Sequence, residues 1–169
     1  TPRDLDAVMA IIEEARRTIA ALGIDQWQNG SPNRAMLTED MALGQGRVVV
    51  GDDGAVLGTF ALIYTGEPTY DRIYDGGWLT ADRDAHGEVA YVAIHRVAIS
   101  VAHRGSGAST AIMDYAAEFA RVLGKTSLRI DTHEGNTVMR RMLEKHGFVH
   151  RGTIFLRNGD RRVAYERVL

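Results

Sequence analysis

The sequence predicts an α/β fold, more closely an α+β arrangement with one central mixed β-sheet and helices on both faces. Three observations carry this. Apolar residues recur at three- and four-residue steps over 1–22, and an apolar helical pattern fills 107–123, as on the buried faces of helices. Short runs rich in Val, Ile and Ala lie between those windows, some joined by tight Asp-Gly or Asn-Gly turns and two by an intervening helix. The 169 residues are 45% hydrophobic and 25% charged, enough for one sizeable core, so a single domain over residues 1–169 is expected.

Residues 1–22 read as a helix, with Leu5, Val8, Met9, Ile12, Ala15, Ile19 and Leu22 on one apolar face. Thr1 suits the N-cap, Pro2 the first helical position and Gly23 the stop. Ser31-Pro32 opens a second, short helix that ends near Gly44. The runs at 47–51 and 55–64 form a hairpin about Asp52-Asp53-Gly54. A polar stretch, 65–87, follows, and loops of that length are functional or mobile. Residues 88–100 make a long strand, 107–123 a helix closed by Gly124, and 127–132 another strand. A helix over 136–146 opens with Asn136 and stops at Gly147, and two strands close the chain around Asn158-Gly159. The passage from strand to helix to strand over 94–130 is a parallel, right-handed crossover.

Composition removes several function classes. Net charge is −2, which opposes a broad nucleic-acid footprint, so no nucleic-acid partner is expected. The absence of cysteine excludes disulfides, thiolate metal sites and a cysteine nucleophile. No apolar run approaches the roughly 18 residues a membrane span needs, so a cytoplasmic location without a membrane partner is expected. The six histidines show no metal-ligand spacing, and no metal is expected.

The informative segment is "AISVAHRGSGAST", 98–110. A strand run ends in a basic pair, two glycines follow, and a helical pattern starts at once. A Walker loop needs Gly-Lys-Ser/Thr, whereas Gly107 precedes Ala108 and Ser109. A dinucleotide fingerprint fits Gly105 and Gly107 but has Thr110 at its third glycine position, and its strand-to-helix turn is shorter. Free N–H groups at a helix start, with the helix dipole behind them, suit an anion. Glycines keep side chains out of its way.

Arg104-Gly105-Ser106-Gly107-Ala108-Ser109, after a strand ending Val97-Ala98-Ile99, resembles the pyrophosphate loop of the GNAT superfamily of acyl-CoA-dependent N-acyltransferases. That pattern is Arg/Gln-x-x-Gly-x-Gly/Ala. Ser109 departs from it but is small enough for close backbone approach. The order of elements agrees over nearly the whole chain, down to an Asn136-opened helix running into "EKHGF". The family usually has one more strand before its first helix, which would lie upstream of Thr1.

The resemblance implies a GNAT-like fold and direct transfer of an acetyl group from acetyl-CoA, as co-substrate, to a primary amine of a small molecule or peptide. It implies that Val97, Ala98 and Ile99 lend backbone groups to the pantetheine arm where the strand parts from 126–131. Arg104, Gly105, Ser106, Gly107, Ala108 and Ser109 would hold the pyrophosphate. Asn136 would cap its helix and touch the pantetheine. In the locally basic tail, Arg140, Arg141 or Lys145 fit the 3′-phosphate, and fit a solvated helix face equally well. A backbone N–H of the long strand would stabilise the oxyanion. Trp27 and Gln28 would line the acceptor pocket, Trp27 fitting a core-edge residue equally well. The family commonly forms dimers, so a homodimer is also expected.

Acyl transfer also requires proton transfer. An amine of pKa about 10.4 is neutral in only about one molecule in a few thousand at pH 7, roughly 4–5 kcal/mol against attack, so a base is expected. His95, Glu88 and Tyr91 are the candidates, and His95 has the best ordinary pKa for the task. It equally fits a hydrogen-bonded structural histidine. Simple alternation groups His95 with Val97 and Ile99, and Arg96 with Ala98. The family often places a tyrosine acid seven residues after the helix-opening Asn. That position is Leu143, with Tyr115 or a water as substitute. Leu143 keeps open an alternative, a non-catalytic acyl-CoA-binding sensor module.

Overall fold

The computed structural model describes residues 1–169. Its elements are α1 (Leu5–Ala21), α2 (Arg34–Ala42), β1 (Gly46–Val50), β2 (Val56–Ile63), β3 (Tyr91–Ile99), α3 (Ala108–Val122), β4 (Ser127–Thr132), α4 (Thr137–Lys145), β5 (Val149–Phe155) and β6 (Arg161–Val168). Short 3₁₀ turns stand at Pro2–Asp4, Pro68–Tyr70 and Val101–His103. The strands form one mixed sheet in the order β1-β2-β3-β4-β6-β5. β3 and β4 are parallel, as the crossover requires, and the pairs β1/β2, β4/β6 and β5/β6 are antiparallel. The fold class and element order expected from sequence are those observed. The chain packs as two compact units, 1–62 with 96–112 and 63–95 with 113–169.

In the first unit, Thr1 caps the chain start: its hydroxyl donates to Asp4 Oδ2 at 2.6 Å. The opening turn is 3₁₀, so α1 begins only at Leu5. Val8, Ile11 and Ile12 of α1 pack with Leu37 and Ala98. Leu22, expected on the buried face, sits at the C-cap and is exposed. The second helix starts later than Ser31-Pro32 indicated, because Asn33 is its cap and accepts from Met36 N–H at 3.0 Å. Gly54 turns the hairpin, with φ +81° and its N–H on Gly51 O at 2.9 Å.

In the second unit, the segment 65–90 is not a loose loop. Tyr70, Val89, Tyr91, Ala93, Ile154 and Ala164 share one core. Tyr74 and Thr153 exchange backbone hydrogen bonds of 2.8 Å each way, so the segment adds a short bridge beside β5. Only glycine permits this approach: a Cβ on Gly76 would lie 1.8 Å from Arg151 O, and one on Gly152 would lie 2.4 Å from Tyr74 O. Arg129 of β4, fully buried, is sandwiched between the Trp78 and Tyr91 rings at 4.3 and 4.1 Å. It pairs with Glu166 at 3.1 Å and Asp82 at 2.5 Å. The polar character of 65–87 hid these anchors, because each partner lies far away in sequence. On α4, Leu143 is fully buried.

Candidate active site

The glycine loop is built as a cradle. After β3 the chain makes the turn Val101–His103, and Gly105 and Gly107 follow at φ +80° and +88°, the left-handed region that glycine enters without strain. A Cβ at either position would meet no protein atom within 4 Å, so the space beside both is open. Gly107 O accepts the first helical bond, from Ala111 N–H at 3.0 Å. The N–H groups of Ala108, Ser109 and Thr110 therefore precede the intrahelical ladder of the 15-residue α3. Two contacts tie this loop to α1: Val101 N–H donates to Glu14 Oε2 at 2.8 Å, and Arg104 Nη2 to Thr18 Oγ1 at 3.0 Å.

β3 itself carries a kink. Arg96 has φ +56°, a strained value for a residue with a side chain. Its guanidinium forks onto buried Asp40 of α2, with Nε to Oδ2 at 2.6 Å and Nη2 to Oδ1 at 2.5 Å. This bidentate pair fixes the kink. Two-residue alternation does not run through such a backbone, so the sequence-based grouping of His95 with Val97 and Ile99 does not follow. Val97 and Ile99 are half-buried and Ala98 is buried in the α1 core.

His95 ends the second unit's share of β3. The β3/β4 ladder pairs Tyr91–Ala93 with Ser127–Arg129, and His95 lies past its last pair. The imidazole stacks on Tyr70, with ring centres 5.9 Å apart. Its Nε2 lies 3.2 Å from Glu67 Oε2 but outside hydrogen-bond alignment. Burial alone would push the Glu67 carboxyl up. His95 and the Thr69 donors outweigh it and bring the pKa down to about 2. Burial, then the neighbouring Asp131 carboxylate, holds the Tyr70 hydroxyl well above its ordinary value, and that hydroxyl donates to Asp131 Oδ1 at 2.7 Å. Glu88 is exposed, and Tyr91 is buried against Arg129.

Asn136 caps α4, accepting from Met139 N–H at 3.2 Å. Arg140 is held by Tyr165 Oη at 3.0 Å and Glu134 O at 3.1 Å, while Arg141 and Lys145 are exposed. Trp27 packs at the edge of the α1 core with φ +67°, and its carbonyl accepts from Arg16 Nε at 2.9 Å. The Gln28 amide donates to Arg16 O and Gln26 O, each at 3.1 Å. No group of three or more His, Asp or Glu side chains is arranged to hold a metal ion. No helix is long and apolar enough to cross a membrane. Sequence reasoning missed Glu67, Asp40 and the kink at Arg96; a charged residue inside an apolar strand run was the one visible signal.

The description of the Acetyltransferase (GNAT) family matches residues 13–148. The chain belongs to the GNAT acetyltransferase family. A GNAT-family acetyltransferase from Streptococcus agalactiae is 35% identical and superposes with a TM-score of 0.81, over 100% of this chain and 92% of that one. A GNAT-family acetyltransferase from Listeria monocytogenes is 19% identical, with a TM-score of 0.72 over 100% and 91% of the two chains, a likeness of fold. No curated protein matches the chain. GNAT acetyltransferases typically use acetyl-CoA and act on an acceptor substrate.

Proposed function

We propose that this GNAT acetyltransferase moves an acetyl group from acetyl-CoA to a primary amine of a small molecule or peptide, as a single-domain cytoplasmic enzyme. The observation that carries the reading is the cradle: two left-handed glycines with open space beside them, at the start of a long helix. Those features fit a pyrophosphate, which needs close backbone approach and unpaired N–H donors. Arg104 to Ser109 would hold it, Val97 to Ile99 would pair with the pantetheine amides, and Asn136 would touch the same arm. Acetyl-CoA, when bound, supplies an activated acyl thioester. The chain's own part is to align an amine with that thioester, to offer a β3 backbone N–H to the developing negative charge, and to accept a proton at His95. Trp27 and Gln28 would border the amine.

Leu143 favours one second reading, a non-catalytic acyl-CoA-binding module. It is fully buried where the family often has a tyrosine acid. A thiol of pKa about 8.5 leaves tolerably as thiolate, so acetyl transfer does not require an acid at Leu143.

The test is thermal melting with acetyl-CoA against NAD(P). At 100 times Kd, a ligand stabilises by about 2.7 kcal/mol, roughly 5–10 °C for a chain of this size. A shift with acetyl-CoA alone is expected, and no shift at saturation would overturn the reading. Thiol release across an amine panel, free of background because the chain lacks cysteine, separates the enzyme from the binding module.

A further inference from the structure

We propose that Glu67 is a positioning residue for acyl transfer: its carboxylate holds the Nε2 edge of His95 and leaves Nδ1 as the nitrogen that accepts the amine proton. This rests on the acetyl-transfer reading above.

The geometry begins with Glu67, which is itself fixed. Its Oε1 accepts from Thr69 N–H at 3.1 Å and from Thr69 Oγ1 at 2.8 Å, and its own N–H donates to Tyr91 Oη at 3.0 Å. Its second oxygen, Oε2, lies 3.2 Å from His95 Nε2, an ion-pair distance. The imidazole cannot turn freely, because it stacks on Tyr70, and Tyr70 is anchored by Asp131 and by Trp78 Nε1 on its carbonyl at 2.9 Å. Nε2 is enclosed, yet the His95 side chain is 20% exposed. The exposed part therefore lies on the other atoms, and Nδ1 is the nitrogen left to meet a substrate. A carboxylate beside one ring nitrogen fixes the proton there and keeps the other nitrogen bare. His95 and the Thr69 donors outweigh burial and hold the Glu67 carboxyl below its ordinary value.

The step balances. The amine nitrogen bonds to the acyl carbon, the carbon–sulfur bond breaks with its electron pair on sulfur, and the proton shed by nitrogen passes to His95 Nδ1. The imidazolium returns it to the thiolate or to water.

The test has two arms. In the wild-type protein, labelled with ¹⁵N-histidine and assigned with His95→Gln, the neutral His95 should be protonated at Nε2. A tautomer protonated at Nδ1 overturns the proposal whatever the activity. In the kinetic arm, Glu67→Ala should lower kcat by about tenfold or more, with KM for acetyl-CoA and the acetyl-CoA melting shift unchanged. Glu67→Gln, which keeps the size and an acceptor oxygen, should recover part of the loss. An unchanged kcat in Glu67→Ala, or a change confined to KM, overturns the proposal. If His95→Gln turns over normally, the base assignment falls and the proposal with it, while acetyl transfer stands. Absence of both thiol release and the melting shift removes the acetyl-transfer reading itself.

Discussion

Arg129 shows how one residue can organise a region. A charge enclosed on all sides is costly unless every donor finds a partner. Here the guanidinium meets Glu166, Asp82 and Thr80 O, with aromatic faces above and below. Glu166 is fully buried too and accepts from Ser127 Oγ at 2.8 Å and Thr80 Oγ1 at 2.7 Å. Removing Arg129 strands that carboxylate, so Arg129→Ala should lose about 3–5 kcal/mol in urea titrations. A loss below about 1 kcal/mol would mean that water replaces the guanidinium, against this account. None of this was legible in "SLRIDT", which identifies a strand but not the partners of its arginine. The partners are 37 and 47 residues away, and nothing local names them.

Whole elements were easier to read than single contacts. Apolar patterning located α1 and α3, and the opening residues with their glycine stops located α2 and α4, because all of these are local properties of the chain. The cradle was legible for the same reason: glycine before a helix has a conformational meaning that needs no distant partner. The φ values of Gly105 and Gly107 add a separable prediction. Gly107→Ala should lose about 1–2 kcal/mol of stability from the left-handed backbone alone, since the added methyl meets no protein atom. It should also weaken acetyl-CoA at least about tenfold, or about 1.4 kcal/mol. Gly54→Ala is the control, with φ +81° and equally open surroundings in the hairpin turn. It should match the stability loss and leave acetyl-CoA binding intact. Calorimetry on both variants decides, and equal affinities would remove Gly107 from the site. The kink at Arg96 was not legible, because the left-handed backbone is held by Asp40, 56 residues earlier.

Across the whole molecule, two carboxylates of the second unit contribute to the acid limb of stability. Glu67 has a folded pKa of about 2 against an ordinary 4.5. Burial works against ionised Glu166, but donors from Thr80, Leu79, Ser127 and Arg129 hold it below its ordinary value. A depressed folded pKa contributes stability that is complete above the unfolded value and disappears as pH falls through the folded one. Unfolding free energy should therefore drop from about pH 4.5 toward pH 2. Urea midpoints over that range should fall less steeply for Glu67→Gln than for the wild type, and parallel slopes would discount the His95–Glu67 pair.

The bridge between Tyr74 and Thr153 has a consequence for how copies of the chain meet. β5 ends the sheet, and an unpaired border strand invites another chain to add to it. Here Tyr74 and Gly77 already occupy the Thr153 and Arg151 backbone groups that an incoming strand would need. Self-templated aggregation through that border is blocked by the protein's own chain, at a point where two glycines leave no room for a side chain.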